Sequence, residues 1–361
     1  MTEPTTPRRT APVEEHGRRL LPAGYAVVIL VVALAVGALL NAQGLRKSAH
    51  IQQQGWQRDV GIAFTTPLAA VSHALQLDRP RRGLKRALGR SGDDRIDTTV
   101  VFGAGVQGAA ATPPAHDAFS PAHRLRIWAT GDSLAIVPGE SVYRLTVDTG
   151  AVTPVSRVDA RLATGLERPD VFNWFTYVRD ALVRLEPRAV VVSFGANDDH
   201  DYMTGLPPGV SIGPFGSSSW LDEYHRRVGG LMDEITRQGR FLVWVGVPIT
   251  RDAAESRRFE LLNTVYRSEA EQRPGRVAFV DAYTLLQDSH GRYADFLPDA
   301  SGTLVRVRAL DGVHYAGAGG DLIARQVLAR LEQAFDLTSW RKTPAPAPPP
   351  SQPSQAKAGA S

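Results

Sequence analysis

The sequence contains no cysteine. Disulfides, thiol nucleophiles and cysteine-ligated metals are therefore excluded, while the compartment stays open. A basic stripe is missing too. Lysine and arginine number 41 against 37 acidic residues, and the basic residues fall in short clusters near the N-terminus and from Arg79 to Arg90. The electrostatic footprint of a nucleic-acid binder is thus absent, and no nucleic-acid partner is expected. Of long apolar runs there is one strong case, Leu20 to Ala42. Apolar residues nevertheless make up 43% of the chain, enough for a sizeable core, and 361 residues leave room for one large domain with appendages, or for two domains.

The centre of the apolar run, Ala26 to Leu40, has no charged or strongly polar residue. Its length suits a hydrocarbon core about 30 Å thick. Arg8, Arg9, Arg18 and Arg19 precede it, and the positive-inside rule then puts residues 1–19 in the cytoplasm and the chain beyond residue 44 outside. Arg46 and Lys47 pull the other way. A cleaved signal peptide would need a small-x-small site and a shorter apolar run; Asn41-Ala42-Gln43 is a poor match. The expectation is a single-pass signal anchor over 20–43 in the cell membrane. Residues 44–122 read as a stalk or accessory linker. Pro67 to Leu77 is a candidate helix, the basic stretch to Arg90 a solvated linker or a contact for anionic polymers, and Gly103–Ala118 is rich in Gly, Ala and Pro.

From residue 123 to 338 the pattern changes. Leu125–Ala129, Ala189–Phe194, Phe241–Val247 and Val277–Val280 look like buried strands. Helix-like segments lie around Phe172–Leu185, Leu221–Gln238 and Ala253–Gln272, and Gly317–Phe335 closes the domain. Alternation of this kind predicts an α/β fold with a parallel sheet and helices on both faces. The Pro/Ala-rich residues 339–361 cannot bury a core and are expected to form a disordered tail.

Three short motifs carry chemistry. Strand Leu125–Ala129 runs into Thr130-Gly131-Asp132-Ser133-Leu134. A serine there stands at the carboxyl edge of the sheet, where open α/β sheets bind ligands, and at a helix N-terminus whose free N–H groups favour an oxyanion. It could equally be an N-cap. Strand Ala189–Phe194 ends in Gly195-Ala196-Asn197-Asp198. The Asn197 amide can donate to an oxyanion, or simply close an Asx turn. Before the last helix comes Asp311-Gly312-Val313-His314, in which the carboxylate can fold back to hold the imidazole; a surface turn would show the same string. The cluster Asp198, Asp199, His200, Asp201 can also be read as a metal site, but without further partners at ligand spacing. Trp174 and Tyr177 suit a core, and the irregular stretch Tyr202–Trp220 either lines a cleft or packs on the surface.

Together, in this order, the blocks resemble those of the SGNH/GDSL hydrolases: Gly131-Asp132-Ser133-Leu134, Gly195-Ala196-Asn197-Asp198 and Asp311 to His314. The family's remaining block is a glycine after the second strand. With Val152–Arg161 as that strand, Gly165 in Ala163-Thr164-Gly165-Leu166 fills it; Gly150 is the rival but precedes the strand. The stretch from Thr164 to Trp174 resembles an uncharacterised bacterial, membrane-anchored subgroup. The likeness runs from Leu125 to Phe335. It implies a three-layer α/β/α sandwich of flavodoxin-like type, Ser133 as nucleophile, His314 as general base and Asp311 as its orienter. It also implies an oxyanion hole from the Ser133 N–H, the Gly165 N–H and the Asn197 side chain, with no metal and no cofactor. With the anchor, it implies an extracytoplasmic serine esterase acting on O-acyl, above all acetyl, groups of envelope polysaccharides. An O-acyltransferase would use the same residues. A catalytically silent glycan-binding module is the reading from another class, and the intact serine, asparagine and Asp/His set speaks against it.

Overall fold

The computed structural model describes residues 23–50, 52, 55–77, 79, 96–102 and 116–342. The expected cytoplasmic tail 1–19, most of the basic stretch before Arg90, the Gly/Ala/Pro-rich 103–115 and the tail beyond residue 342 lie outside the described residues. Contacts divide the chain into two units, Met1–Arg95 and Ile96–Ser361.

Among the described residues of the first unit the helices are α1 (Ala23–Leu40), α2 (Ala42–His50) and α3 (Trp56–Ala74). Gly61 lets α3 close on α2, since a Cβ there would stand 3.2 Å from that of Ala49. The helix expected over Pro67–Leu77 begins earlier, at Trp56, carries Pro67 inside it and stops at Ala74. On α1 the apolar side chains Val27 to Val32 are each more than half exposed. Among the described residues no single helix is long and apolar enough to cross a membrane. Gly24–Leu40 and Ala42–His50 together meet the length and composition, with a bend of 75° between them.

The second unit is built on a parallel sheet. Its strands are β1 (Leu125–Gly131), β2 (Val152–Pro154), β3 (Asp159–Ala160), β4 (Ala189–Ser193), β5 (Phe241–Val245) and β6 (Val277–Val280). The order is β2-β1-β4-β5-β6, every pair parallel, with β3 also on β1. β4 and β5 are buried along their whole length, as apolar runs are when helices cover both faces. Among the described residues six helices flank the sheet: α4 (Ile136–Val147), α5 (Trp174–Leu185), α6 (Ser218–Thr236), α7 (Ala253–Glu271), the short α8 (Ala282–Leu285) and α9 (Gly317–Ala334). Helix α9 packs on α4, while α5, α6 and α7 pack in series; right-handed crossovers put the two groups on opposite faces. Caps fix the starts of helices. Asn173 accepts from the Thr176 N–H at 3.1 Å, and Asp252 from those of Ala254 and Glu255 at 2.7 and 2.9 Å. Trp128, Trp174, Phe194 and Trp244 are fully buried at the centre of the core. This is the three-layer α/β/α sandwich that the motif order implied.

Three local details differ from expectation. The strand expected over Val152–Arg161 is two pieces, β2 and β3, both on β1. Pro154 stands opposite Ile127, the Val155 N–H still donates to the Ile127 carbonyl at 2.9 Å, and the chain then leaves β1 until Asp159. Within the stretch expected as a stalk, residues 96–102 pack on the α/β unit. The Asn173 amide donates to the Thr99 carbonyl at 2.9 Å, the Thr176 hydroxyl to Asp97 at 3.0 Å, and Phe102 meets Phe175 edge to face at 5.6 Å. The pattern also gave no sign of the antiparallel hairpin β7 (Phe296–Pro298) and β8 (Leu304–Arg306), which precedes the Asp311 turn.

Candidate active site

Counting β2 and β3 as one broken strand, the chain turns one way from β1 and the other way from β4. The crevice at the carboxyl ends of β1 and β4 is therefore the topological switch point, where such sheets bind ligands. Ser133 follows β1 and Asn197 follows β4.

The turn after β1 needs glycine. Gly131 has φ +146°, and a Cβ there would stand 1.9 Å from the Ser193 carbonyl oxygen. Asp132 caps the short 3-10 turn Ser133–Ala135 by accepting from the Leu134 N–H at 2.8 Å. Ser133 thus opens a helical turn that continues into α4, as the sequence pattern required.

His314 brings its Nε2 within 2.7 Å of the Ser133 Oγ. Its Nδ1 lies 2.7 Å from Asp311 Oδ2. The other carboxylate oxygen of Asp311 accepts from the N–H groups of Val313 and His314 at 2.8 and 2.9 Å. Burial alone would raise the Asp311 carboxyl, but these two N–H groups and the imidazole outweigh it and bring it down to about 2. The carboxylate stays ionised, and an Nδ1–H facing it leaves Nε2 bare toward the serine hydroxyl.

The expected oxyanion donors come from two loops at the same sheet edge. Asn197 Nδ2 donates one hydrogen to the Thr164 carbonyl at 3.0 Å, leaving the other. Thr164 is itself fixed: its hydroxyl donates to the Arg161 carbonyl at 2.7 Å and accepts from the Trp174 indole at 3.0 Å. Gly165 follows, and no other residue fits, because a Cβ would stand 2.0 Å from Asp198 Oδ1. The rival Gly150 lies before β2, whose Val152 pairs with Leu125 at the amino end of β1, and it packs on Trp340. The structure therefore brings Gly165, and not Gly150, to the Asn197 loop.

Two aspartates that the motifs contain, but to which no catalytic role was given, tie these loops together. Asp132 Oδ2 accepts from the Gly195 and Ala196 N–H groups at 2.8 and 2.9 Å, joining the nucleophile turn to the Asn197 loop. Asp198 accepts from Leu166 and Glu167 N–H, both at 2.9 Å, and from the Tyr224 hydroxyl at 2.9 Å, joining the Asn197 loop to the Gly165 loop. Both carboxyls are wholly buried. Burial pushes Asp132 up to about 7, against its three N–H donors and with the Asp198 charge adding to the rise. Burial also raises Asp198, again against its donors. The signal was in the strings themselves, since both blocks carry an aspartate beside the candidate residue, Ser133 or Asn197.

The acidic cluster after Asn197 does not converge on one point. Asp199 pairs with Arg258 at 2.6 Å and Asp201 accepts from the Phe215 N–H at 3.0 Å. His200 turns to the buried Glu167, which takes both its N–H at 3.1 Å and its ring Nδ1 at 3.1 Å. Among the described residues no group of His, Asp and Glu could hold a metal ion. Burial, with the Asp198 and Asp199 charges, raises the Glu167 carboxyl well above its usual range. Arg227 closes the structure from α6, donating to the Leu166 and Thr204 carbonyls at 2.8 and 2.7 Å. The stretch after Tyr202 is thereby packed on the Gly165 loop.

A family model described as "Protein of unknown function (DUF459)" matches residues 126–330. No curated protein matches the chain. Among solved structures, the chain is similar to a variant of an acetyl xylan esterase from Geobacillus stearothermophilus (17% identity, 57% of this chain and 94% of that one, TM-score 0.40). It is also similar to a GDSL-like lipase from Bacteroides thetaiotaomicron (15%, 58% and 89%, 0.37) and to an alpha/beta hydrolase enzyme from the metagenome of Lake Arreo, Spain (16%, 60% and 97%, 0.41).

Proposed function

The chain belongs to the DUF459 family, and we propose that it is a serine esterase, anchored in a bacterial cell membrane with its catalytic unit outside, that removes O-acyl groups from envelope glycans. The observation that carries the proposal is the unbroken line from Asp311 through His314 to the Ser133 hydroxyl, with both contacts at 2.7 Å. In this reading Ser133 Oγ attacks the ester carbonyl carbon while His314 Nε2 takes its proton. The carbonyl oxygen becomes an oxyanion between the Ser133 and Gly165 N–H groups and the free Asn197 N–H. Its collapse expels the alcohol, which leaves with the proton from His314. Water then attacks the acyl-serine, His314 takes its proton and returns it to Ser133, and the acid departs.

A silent binding module would have no use for a hydrogen-bonded Ser-His-Asp line. The anchor draws support from α1, whose apolar side chains are exposed and would be covered by lipid. Acetyl is the expected acyl group by analogy with the acetyl xylan esterase.

The test is acyl release by the full chain from short aryl esters and acetylated glycans, with fluorophosphonate labelling alongside. Ser133→Ala should abolish both, a loss of about 10⁶ in rate for a serine enzyme of this kind. Undiminished labelling of that variant would mean that another residue is the nucleophile.

A further inference from the structure

Arg308 is wholly buried, yet among the described residues no carboxylate pairs with it. Its Nη2 donates to the carbonyls of Val313 at 2.7 Å and Gly312 at 3.2 Å, the two residues between Asp311 and His314. Among the described residues its Nε and Nη1 find no acceptor in good geometry, the Tyr293 hydroxyl being the nearest candidate. The guanidinium lies 5.4 Å from the ring of Tyr293 and 5.5 Å from that of Tyr315. Tyr293 also carries a second cation, Arg251, at 5.5 Å. Arg251 grips the same turn from the other side: its side chain donates to the Leu310 carbonyl at 3.0 Å and its backbone N–H to that of Gly312 at 3.1 Å. Asp295 anchors the Arg251 side chain at 2.9 Å.

Burying a cation without a paired counter-ion is costly, and an apolar side chain of similar size often serves stability as well or better. Cation–π contact with two tyrosines recovers part of that cost. What an apolar side chain cannot do is hold two adjacent carbonyls. The turn also closes on itself, with Asp311 on the Val313 and His314 N–H groups and the Ala309 N–H on the His314 carbonyl at 2.8 Å, but the Gly312 and Val313 carbonyls are held by the two arginines. Gly312 sits at φ +80°, and the side chains of Asp311 and His314 are half and two-fifths exposed. We propose that Arg308, with Arg251, is a clamp that positions the His314 imidazole against Ser133, so that both are positioning residues for the reaction. The inference rests on the reading of Ser133, His314 and Asp311 as the catalytic set.

The experiment uses the full chain. Arg308→Met removes the donors and keeps the bulk. A misplacement of the base by about 1 Å costs about 10² in rate, so kcat on an aryl acetate should fall about 100-fold with KM within twofold. Arg308→Lys, which can reach one carbonyl, should recover at least tenfold of it. A merely structural arginine would lower the melting temperature and leave kcat per folded molecule unchanged; that result overturns the clamp. If Arg308→Met does not fold, the half-exposed Arg251→Ala decides: kcat at the wild-type value overturns the proposal, and a loss of about tenfold at constant KM supports it. A second readout is independent of turnover. The His314 Nδ1–H facing Asp311 should give a low-field proton resonance, assigned by its loss in Asp311→Asn. Its loss in the clamp variants supports positioning, and its persistence overturns it, even if no ester is hydrolysed and the esterase reading falls.

Discussion

Asn197→Ala separates catalysis from architecture at one side chain. The amide makes one described bond, from Nδ2 to the Thr164 carbonyl at 3.0 Å. Deleting a neutral hydrogen bond costs about 1 kcal/mol, and somewhat more where the abandoned carbonyl is buried. In a domain of this size that is a drop of about 2–4 °C in melting temperature. In the proposed mechanism the second N–H, which has no acceptor among the described residues, acts only when charge develops on the ester oxygen. Its loss should cost about 10²–10³ in kcat, roughly 3–4 kcal/mol, with KM little changed, because the interaction belongs to the transition state. The two effects thus differ by a factor of about three in free energy and appear in different observables. Measuring kcat, KM and melting temperature on one preparation reads both. Asn197→Asp sharpens the test: it keeps the shape but sets a carboxylate against the Thr164 carbonyl and the oxyanion alike, and it should be the worse variant in both respects. If Asn197→Ala is destabilised as stated yet turns over normally per folded molecule, the amide is only a turn-closer. The hole would then be left with the Ser133 and Gly165 amides.

Gly165→Ala should lose activity and stability together, because its Cβ would fall 2.0 Å from Asp198 Oδ1; an active, undisturbed variant would show that the loop has another arrangement. Asp132→Asn replaces an acceptor of three N–H bonds by a group whose own NH₂ must face some of them, and denaturant melts should show a loss of about 3 kcal/mol or more. The Asp311 carboxyl is brought below its unfolded value, to about 2. Its stabilising contribution is therefore present above about pH 4 and lost as pH falls toward 2, where the unfolded chain binds the proton first. Urea midpoints measured from pH 5 to 2 should fall less steeply for Asp311→Asn than for the wild type; parallel curves would refute the ionised resting state. For the anchor, a reporter active only in the cytoplasm and fused after Ser361 should stay inactive, and activity would place the catalytic unit inside.

The parts of the fold legible in the sequence were those with strong local signals. The runs forming β1, β4, β5 and β6 are nearly unbroken in apolar residues, and the helices between them start at readable caps such as Asn173 and Asp252. Ser133, Asn197, Asp311 and His314 could be named because each follows such a strand or precedes such a helix. What was not legible depends on contacts between distant segments. The split of β2 from β3 depends on how β1 offers its edge to two separate pieces. The attachment of residues 96–102 depends on Asn173 and Phe175, more than seventy positions further on. The buried Arg227 and Arg308 carry no local mark, since an arginine destined for the interior reads like any surface arginine until its acceptors are known. The His200–Glu167 pair was hidden for the same reason, and the density of acids after Asn197 offered only a metal reading that lacked partners at ligand spacing.

The two buried aspartates behind the site have a consequence for its motion. The N–H groups of Leu134, Gly195, Ala196, Leu166 and Glu167 all end on Asp132 or Asp198, and none of them belongs to a strand ladder. Segments this irregular ordinarily exchange their amide hydrogens with solvent quickly. Here, releasing any of them opens a buried carboxyl to which the neighbouring loop is also attached, so the three loops should open as one cooperative unit. In deuterium exchange these amides should trade at rates near those of β1 and β4, and a single substitution at Asp198 should speed the amides on both loops it joins. Such a site is rigid because two carboxyls make three separate turns into one body, and not because its backbone is regular.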